Sequence, residues 1–464
     1  MKVTLLGASG GEVTGSSYLL ETSRARVLID CGLFQGAQRL ENYNRLPSRD
    51  RVGQLDAVVL THAHLDHTGR LPLLTRFGYS RAIHATPATI ALTSLILKDA
   101  ARLQAEDAKR QNRWRVKAGK SALEPLFSAS QVERLAPLFR RLPYERSTEV
   151  APGVAVRAVE AGHVLGSASL EITVDDNGRK QVVVFSGDLG PRGAPLHRDP
   201  VPFQYADVVF MEATYGDRDH KSLQETAIEA REAIGATVER GGRVLVPTFA
   251  IGRTQLLLLL LAGAFKRKTL KPFPIFIDSP MAIEATEIYR KHSELFDEEA
   301  QEMMRSGELA AARRMLNMLR TAAESRTLAK KSGPFLVMAG AGMCTGGRIM
   351  HHLANHLADP TTLVLVVGFQ GHGSLGRSLV DGAKSVKIFG QKVDVAASVH
   401  TLGGLSGHAG QKDLLSWIDT LAPSKPRIIL THGEDKAREA LGSLIGGRYG
   451  LPAELPGYRD VVEF

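Results

Sequence analysis

Seven residues constrain this chain more than any others: Thr61-His62-Ala63-His64-Leu65-Asp66-His67. Three imidazoles and a carboxylate follow directly on the apolar run Asp56 to Leu60, so a buried strand is expected to deliver four candidate metal ligands at its carboxyl end. Neutral imidazole nitrogen suits zinc, and a carboxylate binds or bridges. Side chains one or two positions apart in an extended loop do not all face one ion, which makes two adjacent metals the easier arrangement. The plain alternative is a solvated polar loop. Such a loop has no reason to concentrate this many of the fifteen histidines in the chain.

A chain of 464 residues exceeds what one hydrophobic core usually serves, so two domains are expected. With 44% hydrophobic and 23% charged residues the composition is that of an ordinary globular protein. A net charge of +9 favours a polyanionic partner such as nucleic acid, although solubility alone also accounts for it. Cys31 and Cys344 are too few for a disulfide framework and suit a reducing compartment. The opening residues Met1 to Ala8 read as a short strand rather than a signal peptide, and the longest apolar stretch, Leu256 to Phe265, is too short to span a membrane. A soluble cytoplasmic protein with no membrane partner is the expectation.

Further strand ends carry polar residues of the same kinds. Val3 to Leu6, Ser17 to Leu20 and Arg26 to Ile29 are β-prone runs, and the last ends in Asp30 of V-L-I-D-C-G. A carboxylate there fixes a ligand histidine through its free ring N–H; otherwise Asp30 is a turn residue before Gly32. Val154 to Val159 leads to His163 and Gln181 to Phe185 leads to Asp188, both flanked by glycines that let the backbone turn sharply. Arg427 to Leu430 leads to Thr431-His432-Gly433-Glu434. Between these lie helices. Thr86-Pro87 is an N-cap and first-turn proline opening a helix to about Arg115, and Ser130 with Glu133 reads as a capping box for the next. The stretch Arg102 to Lys120 is basic and contains Trp114; it either tracks a phosphate backbone or is a solvated face. Four apolar runs, Arg243 to Val246, Pro274 to Ile277, Phe335 to Met338 and Leu363 to Val367, alternate with helical segments as in a parallel α/β sheet. Ser222 with Glu225 caps one of these helices and Gly241-Gly242 ends it, Leu256 to Leu261 reads as a helix buried on several sides, and Met281 to Lys331 reads as further helices. His352 and His356 are read as surface histidines of a helix rather than a third metal site, and His400 as a strand-end neighbour.

These residues resemble the metallo-β-lactamase superfamily. His62, His64, Asp66 and His67 match its H-x-H-x-D-H motif, Asp30 the preceding motif, and His163 and Asp188 the following two. The resemblance extends to the β-CASP branch, whose motifs A, B and C match Asp207 to Gly216 around Glu212, Leu405 to Ala409 around His408, and Leu430 to Glu434 around His432. The fold so implied is α/β: an αββα sandwich with an inserted α/β domain. Its parts are residues 1–214 and 396–464 for the sandwich and 215–395 for the insert.

By the same resemblance His62, His64 and His163 hold one zinc, Asp66, His67 and His432 hold a second, and Asp188 bridges them. His408 lies off the metals and contacts the scissile phosphate or protonates the leaving oxygen, with Glu212 orienting it; Asp30 and Asp66 are counted with the catalytic residues. His432 at motif C resembles the RNA-processing members, since DNA-processing relatives carry valine there. Glycine loops that open helices in the insert are candidate phosphate contacts, through Arg253, Arg348, Ser374 and Arg377. The implied function is a two-zinc ribonuclease that hydrolyses single-stranded RNA between its domains by a two-metal hydroxide mechanism, endonucleolytic like the cleavage and polyadenylation endonuclease group, with a homodimer as one assembly open to it. Other readings are a 5′-3′ exoribonuclease, a hydrolase of small thioesters or lactones, and a non-catalytic RNA-binding subunit.

Overall fold

Strands β1 (Lys2–Leu5), β2 (Tyr18–Glu21) and β3 (Arg26–Ile29) are antiparallel neighbours, and β3, β4 (Ala57–Val59), β5 (Ala82–Ala85) and β6 (Phe139–Arg141) continue the sheet in parallel. Buried and less buried side chains alternate along β1 and β2, which leaves one face for a core. The computed structural model describes residues 1–36, 40, 42–44, 52–306, 314–368, 370–371 and 373–464. A second sheet contains β7 (Thr148–Ala151), β8 (Val154–Glu160), β9 (Ala168–Asp176) and β10 (Arg179–Phe185) as antiparallel neighbours. It continues in parallel through β11 (Val208–Glu212), β20 (Arg427–Thr431) and β21 (Ala453–Glu454), while β22 (Val461–Glu463) closes the first sheet against β1.

The inner faces of the two seven-stranded sheets share one core. Val3, Leu5, Val27 and Ile29 from the first pack with Val156, Leu170, Ile172, Val183 and Phe210 from the second. Each such side chain, removed fully from water, contributes about 1.5–3 kcal/mol. The outer face of the first sheet buries Leu28, Val58 and Ile83 against helix residues such as Leu74 and Leu97, and that of the second buries Val209 and Leu430 against Gln411–Asp419 and Asp435–Tyr449. This is an αββα sandwich.

The chain divides into two compact units: 1–193, 199–219 and 408–464 form the sandwich, and 194–198 with 220–407 form the other. The second unit is built on a parallel sheet of β12 (Arg243–Pro247), β13 (Ile275–Ile277), β14 (Leu316–Met318), β15 (Phe335–Ala339), β16 (Leu363–Val366) and β19 (Ser398–Thr401), in the order β14-β13-β15-β12-β16-β19. Helices cover both faces, as near-continuous burial of β12, β13, β15 and β16 requires. A hairpin of β17 (Ser385–Ile388) and β18 (Gln391–Asp394) completes the unit. The unit extends past the sequence-based end at 395 because β19 pairs with β16 and is that sheet's edge. Within it His400 at that edge meets Glu229 at 2.8 Å.

Local signals decide the helix ends. The Thr86 side chain accepts from the Thr89 N–H, Pro87 opens the helix Pro87–Lys117, and Ser222 accepts from the Glu225 N–H. Gly241 adopts φ +77° just beyond the helix Leu223–Glu239. Leu256, Leu257, Leu259 and Leu261 are buried in the helix Arg253–Lys266. Two expectations are corrected. The helix Ala129–Glu133 is capped by Ser128 and Gln131, not by Ser130 and Glu133; the Gln131 side chain returns to the Ser128 N–H at 2.7 Å, so the reciprocal pair starts two residues earlier. His352 and His356 are buried rather than surface residues, because Ile349–His356 packs on the parallel sheet and His352 Nε2 meets the buried Asp278 at 2.7 Å. Part of the segment Met281 to Lys331, residues 307–313, and His372 of the last glycine loop lie outside the described residues. No helix among the described residues is long and apolar enough to cross a membrane.

Candidate metal centre

Parallel pairing puts the carboxyl ends of β10, β11 and β20 at one edge of the second sheet, and those of β3 and β4 at one edge of the first. Asp188, Glu212 and His432 therefore arrive together from one side, Asp30 and the His62 to His67 segment from the other. Asp30 and His432 have φ of +56° and +47°, a left-handed turn that Asp and His tolerate better than most residues. Gly32 is required by space: a Cβ there would collide with the Asp66 carbonyl oxygen.

Two ligand groups share one carboxylate. His62 Nε2 and His163 Nε2 each lie 3.1 Å from His64 Nδ1, and both face Asp188 Oδ2, at 3.5 and 3.6 Å. On the other side His67 Nε2 is 3.2 Å from Asp188 Oδ1, and His432 Nε2 is 3.4 Å from His67 Nε2, 3.6 Å from Asp188 Oδ1 and 3.7 Å from Asp66 Oδ2. Bonds of about 2.1 Å around a tetrahedral zinc separate its ligands by about 3.4 Å, so these are the edges of two coordination shells. Asp188 Oδ1 is buried and accepts no hydrogen bond from the described residues. An orphaned carboxylate oxygen surrounded by imidazole nitrogens is what a cation would satisfy.

The outward ring nitrogens fix which nitrogen faces inward. His67 Nδ1 meets Asp30 Oδ2 at 2.7 Å, and Asp30 also accepts from the Thr61 N–H at 2.8 Å and its hydroxyl at 2.7 Å. The Thr214 hydroxyl donates to the His432 carbonyl at 3.0 Å and so accepts from His432 Nδ1 at 3.1 Å. Both rings thus turn Nε2 inward. Thr61 and Thr214 were missed as functional residues in the sequence. They sit inside the motif stretches, yet nothing in composition or spacing marks a hydroxyl as the partner of a particular ring.

Burial lowers the pKa of His62 well below the usual histidine value and that of His64 to about 4, so both are neutral donors. Burial also opposes charge on His67, but Asp188 and Asp30 outweigh it and hold its pKa well above the ordinary value. Burial raises and His432 and His67 lower the Asp188 pKa, with the result well below the carboxylate range.

His408 sits nearer the cluster than the sequence reading held. Its ring centroid is 4.5 Å from that of His163, and it forms a third potential ligand group with Asp188 and His432. Its Nδ1 lies 3.1 Å from Glu212 Oε1; Glu212 is buried and fastened by the Leu189 N–H at 2.7 Å and the Thr214 N–H at 3.1 Å. Of the expected phosphate contacts, all in the second unit, Arg348 turns its guanidinium to Asp278 at 2.7 Å and to the carbonyls of Leu319 and Arg320. Ser374 caps the helix Leu375–Val380, Arg377 pairs with Asp381 at 2.9 Å, and Arg253 lies against Gly407.

Family models match in the same order as these strand ends. Residues 10–237 match the metallo-beta-lactamase superfamily, 254–379 the Beta-Casp domain and 392–456 the Zn-dependent metallo-hydrolase RNA specificity domain. Ribonuclease TTHA0252 of Thermus thermophilus is 39% identical over 97% of this chain and 96% of its own length. Transcription termination factor FttA of Methanosarcina mazei is 29% identical over 96% of this chain and 69% of that protein. The crystal structure of a protein of unknown function from Enterococcus faecalis V583 shares the fold, with a TM-score of 0.57, 14% identity and 99% coverage of both chains. Likeness along nearly the whole length of a relative, joined to a histidine and aspartate cluster drawn from the matching strand ends, makes this chain a member of the β-CASP family of the metallo-β-lactamase superfamily.

Proposed function

We propose that this protein is a zinc-dependent ribonuclease that cuts single-stranded RNA internally. The observation that carries the reading is the division of ligands about Asp188, with His62, His64 and His163 facing one carboxylate oxygen and His67 and His432 facing the other, beside Asp66. Imidazole and carboxylate donors at these spacings suit two zinc ions. When bound, such a pair supplies an activated water near neutral pH and offsets charge developing on a phosphoryl group.

The chain's own residues do the rest. Asp30 and Thr214 hold the rings of His67 and His432 in the tautomer that presents Nε2. Glu212 holds His408 through Nδ1, leaving Nε2 to deliver a proton to the leaving oxygen, a task suited to an imidazole. The relative named a ribonuclease and the RNA specificity domain matched by 392–456 support RNA as substrate. The sandwich unit then forms the catalytic domain and the 220–407 segment the β-CASP insert. Within the insert Arg253 and Arg377 remain candidate phosphate contacts, Arg377 by exchanging its exposed pair with Asp381, whereas Arg348 is held by the buried Asp278 and Ser374 by its helix cap. Both cysteines are buried thiols, which suits the cytoplasm.

The test is cleavage of an internally labelled, unstructured RNA by zinc-loaded protein, with products resolved by length beside a matched single-stranded DNA. Discrete intermediate fragments from RNA alone are expected. Immediate release of mononucleotides would replace the internal mode with an exonucleolytic one, and no cleavage with both metals bound would overturn the reading.

A further inference from the structure

We propose that the distal end of the helix Pro87–Lys117 is a second contact site for single-stranded RNA, remote from the metal centre. The inference rests on the ribonuclease reading and adds to it where a long substrate is held.

The helix is amphipathic in an unusual way. Leu97, Ala101 and Ala108 are its inward residues toward this end. At about 100° per residue, Lys109, Arg110, Arg113, Trp114 and Lys117 fall within an arc of about 140° opposite that stripe. All five are exposed, and Trp114 keeps 75% of its surface in solvent with Lys117 Nζ 5.9 Å from its ring centre.

The returning chain covers only the other side. Asn112 exchanges two hydrogen bonds with the backbone of Leu123, at 2.9 and 2.7 Å, Gln104 accepts from the Leu126 N–H at 3.0 Å, and Arg115 Nε donates to the Ser121 carbonyl at 3.0 Å. These residues lie on the inward side of the same wheel. They brace the helix and leave the basic face bare.

A solvated helix face ordinarily mixes charges, as about two turns earlier, where Arg102 meets Asp99 at 2.7 Å and Glu106 at 2.9 Å. From Lys109 to Lys120 the sequence has six basic residues and no acidic one. Arg110 pairs back to Asp107, while Lys109, Arg113, Lys117 and Lys120 make no ion pair among the described residues. Positive charge of one sign around an exposed indole matches a strand whose phosphates need neutralising and whose bases stack on aromatic rings.

The other end of the helix is anchored beside the metal centre. The hydroxyls of Thr86 and Thr89 both donate to the Gly166 carbonyl at 2.7 Å, in the turn that carries His163. Trp114 lies about 40 Å along the helix from that end at about 1.5 Å per residue. A stacked strand at about 3.4 Å per nucleotide needs about 12 nucleotides to cover that length. The site therefore acts on long RNAs and not on short ones.

Trp114 also reports on the test, since the only other tryptophan, Trp417, is buried. Metal-free full-length protein is titrated with oligouridylates of 6 and 30 nucleotides, and zinc-loaded protein is assayed on both. The 30-mer is expected to quench Trp114 emission. Read by the anisotropy of an end-labelled 30-mer, Trp114→Ala and the triple variant Lys109→Glu, Arg113→Glu, Lys117→Glu are each expected to weaken its binding about tenfold, and the triple variant also to flatten the salt dependence. They are expected to raise KM for the 30-mer, with kcat and cleavage of the 6-mer unmoved. Equal binding and KM in the variants, with cleavage intact, overturns the site and leaves the ribonuclease reading standing. Quenching by the 30-mer without cleavage of either RNA supports the site while removing the nuclease. A Trp114 response to phosphatidylserine vesicles and none to RNA overturns the site in favour of a membrane surface.

Discussion

Asp30 contributes three hydrogen bonds and no metal bond, so its effect is felt through His67. Asp30→Asn keeps an acceptor for Thr61 but removes the charge facing the ring, and zinc affinity is expected to fall about 10- to 100-fold with the fold retained, as read by competition with a chelator. An unchanged affinity would mean that His67 is oriented by something else. His67 itself sets a pH dependence. Its pKa in the metal-free fold is raised, so the stability it adds is fully present below its unfolded value of about 6.5 and is lost as pH rises through the folded value. Zinc needs the neutral ring, so uptake near neutrality expels this proton and affinity rises with pH until His67 is neutral without metal. Calorimetry in buffers of different ionisation enthalpy is expected to show that release; heats independent of buffer would contradict it. Glu212→Gln keeps the reach to His408 and removes the charge. It is expected to lower kcat about 10- to 100-fold with zinc content unchanged.

At the scale of elements, the site is a set of strand ends, and strands are what the sequence made most legible. Each ligand follows an apolar run, and every such run is a strand in the structure, because β-prone runs bounded by glycine and polar turns leave few alternatives. What sequence did not reveal is pairing across the chain. The Ser128 to Gln131 cap competed with an equally good Ser130 to Glu133 pattern, and only packing decided between them. His352 looked exposed because its partner Asp278 is 74 residues away. Thr214 was invisible as a support because its bond to His432 spans 218 residues. Close approach is equally hidden: Gly32→Ala is expected to displace the Asp66 backbone, with loss of zinc from the His67 side and a lowered Tm, whereas wild-type zinc content would show that the loop yields. Thr86→Ala removes the long helix's cap and one bond to Gly166 and is expected to cost about 1 kcal/mol in denaturant unfolding.

For the whole molecule, the order of parts along the chain decides how chemistry is assembled. His408 and His432 belong to the sandwich unit although they follow the 220–407 segment in the chain, so the metal centre draws on residues from both ends of the sequence. The resemblance in the sequence anticipated this order, while strand order and the sheet edge at β19 required coordinates. Under the proposed function one carboxylate, Asp188, holds together two metals that act as a pair on RNA. The most direct test is to titrate metal-free protein with zinc while following cleavage of a labelled single-stranded RNA. Little activity is expected at one equivalent per chain and saturation at two. Full activity at one equivalent, or none at any zinc level, would contradict it.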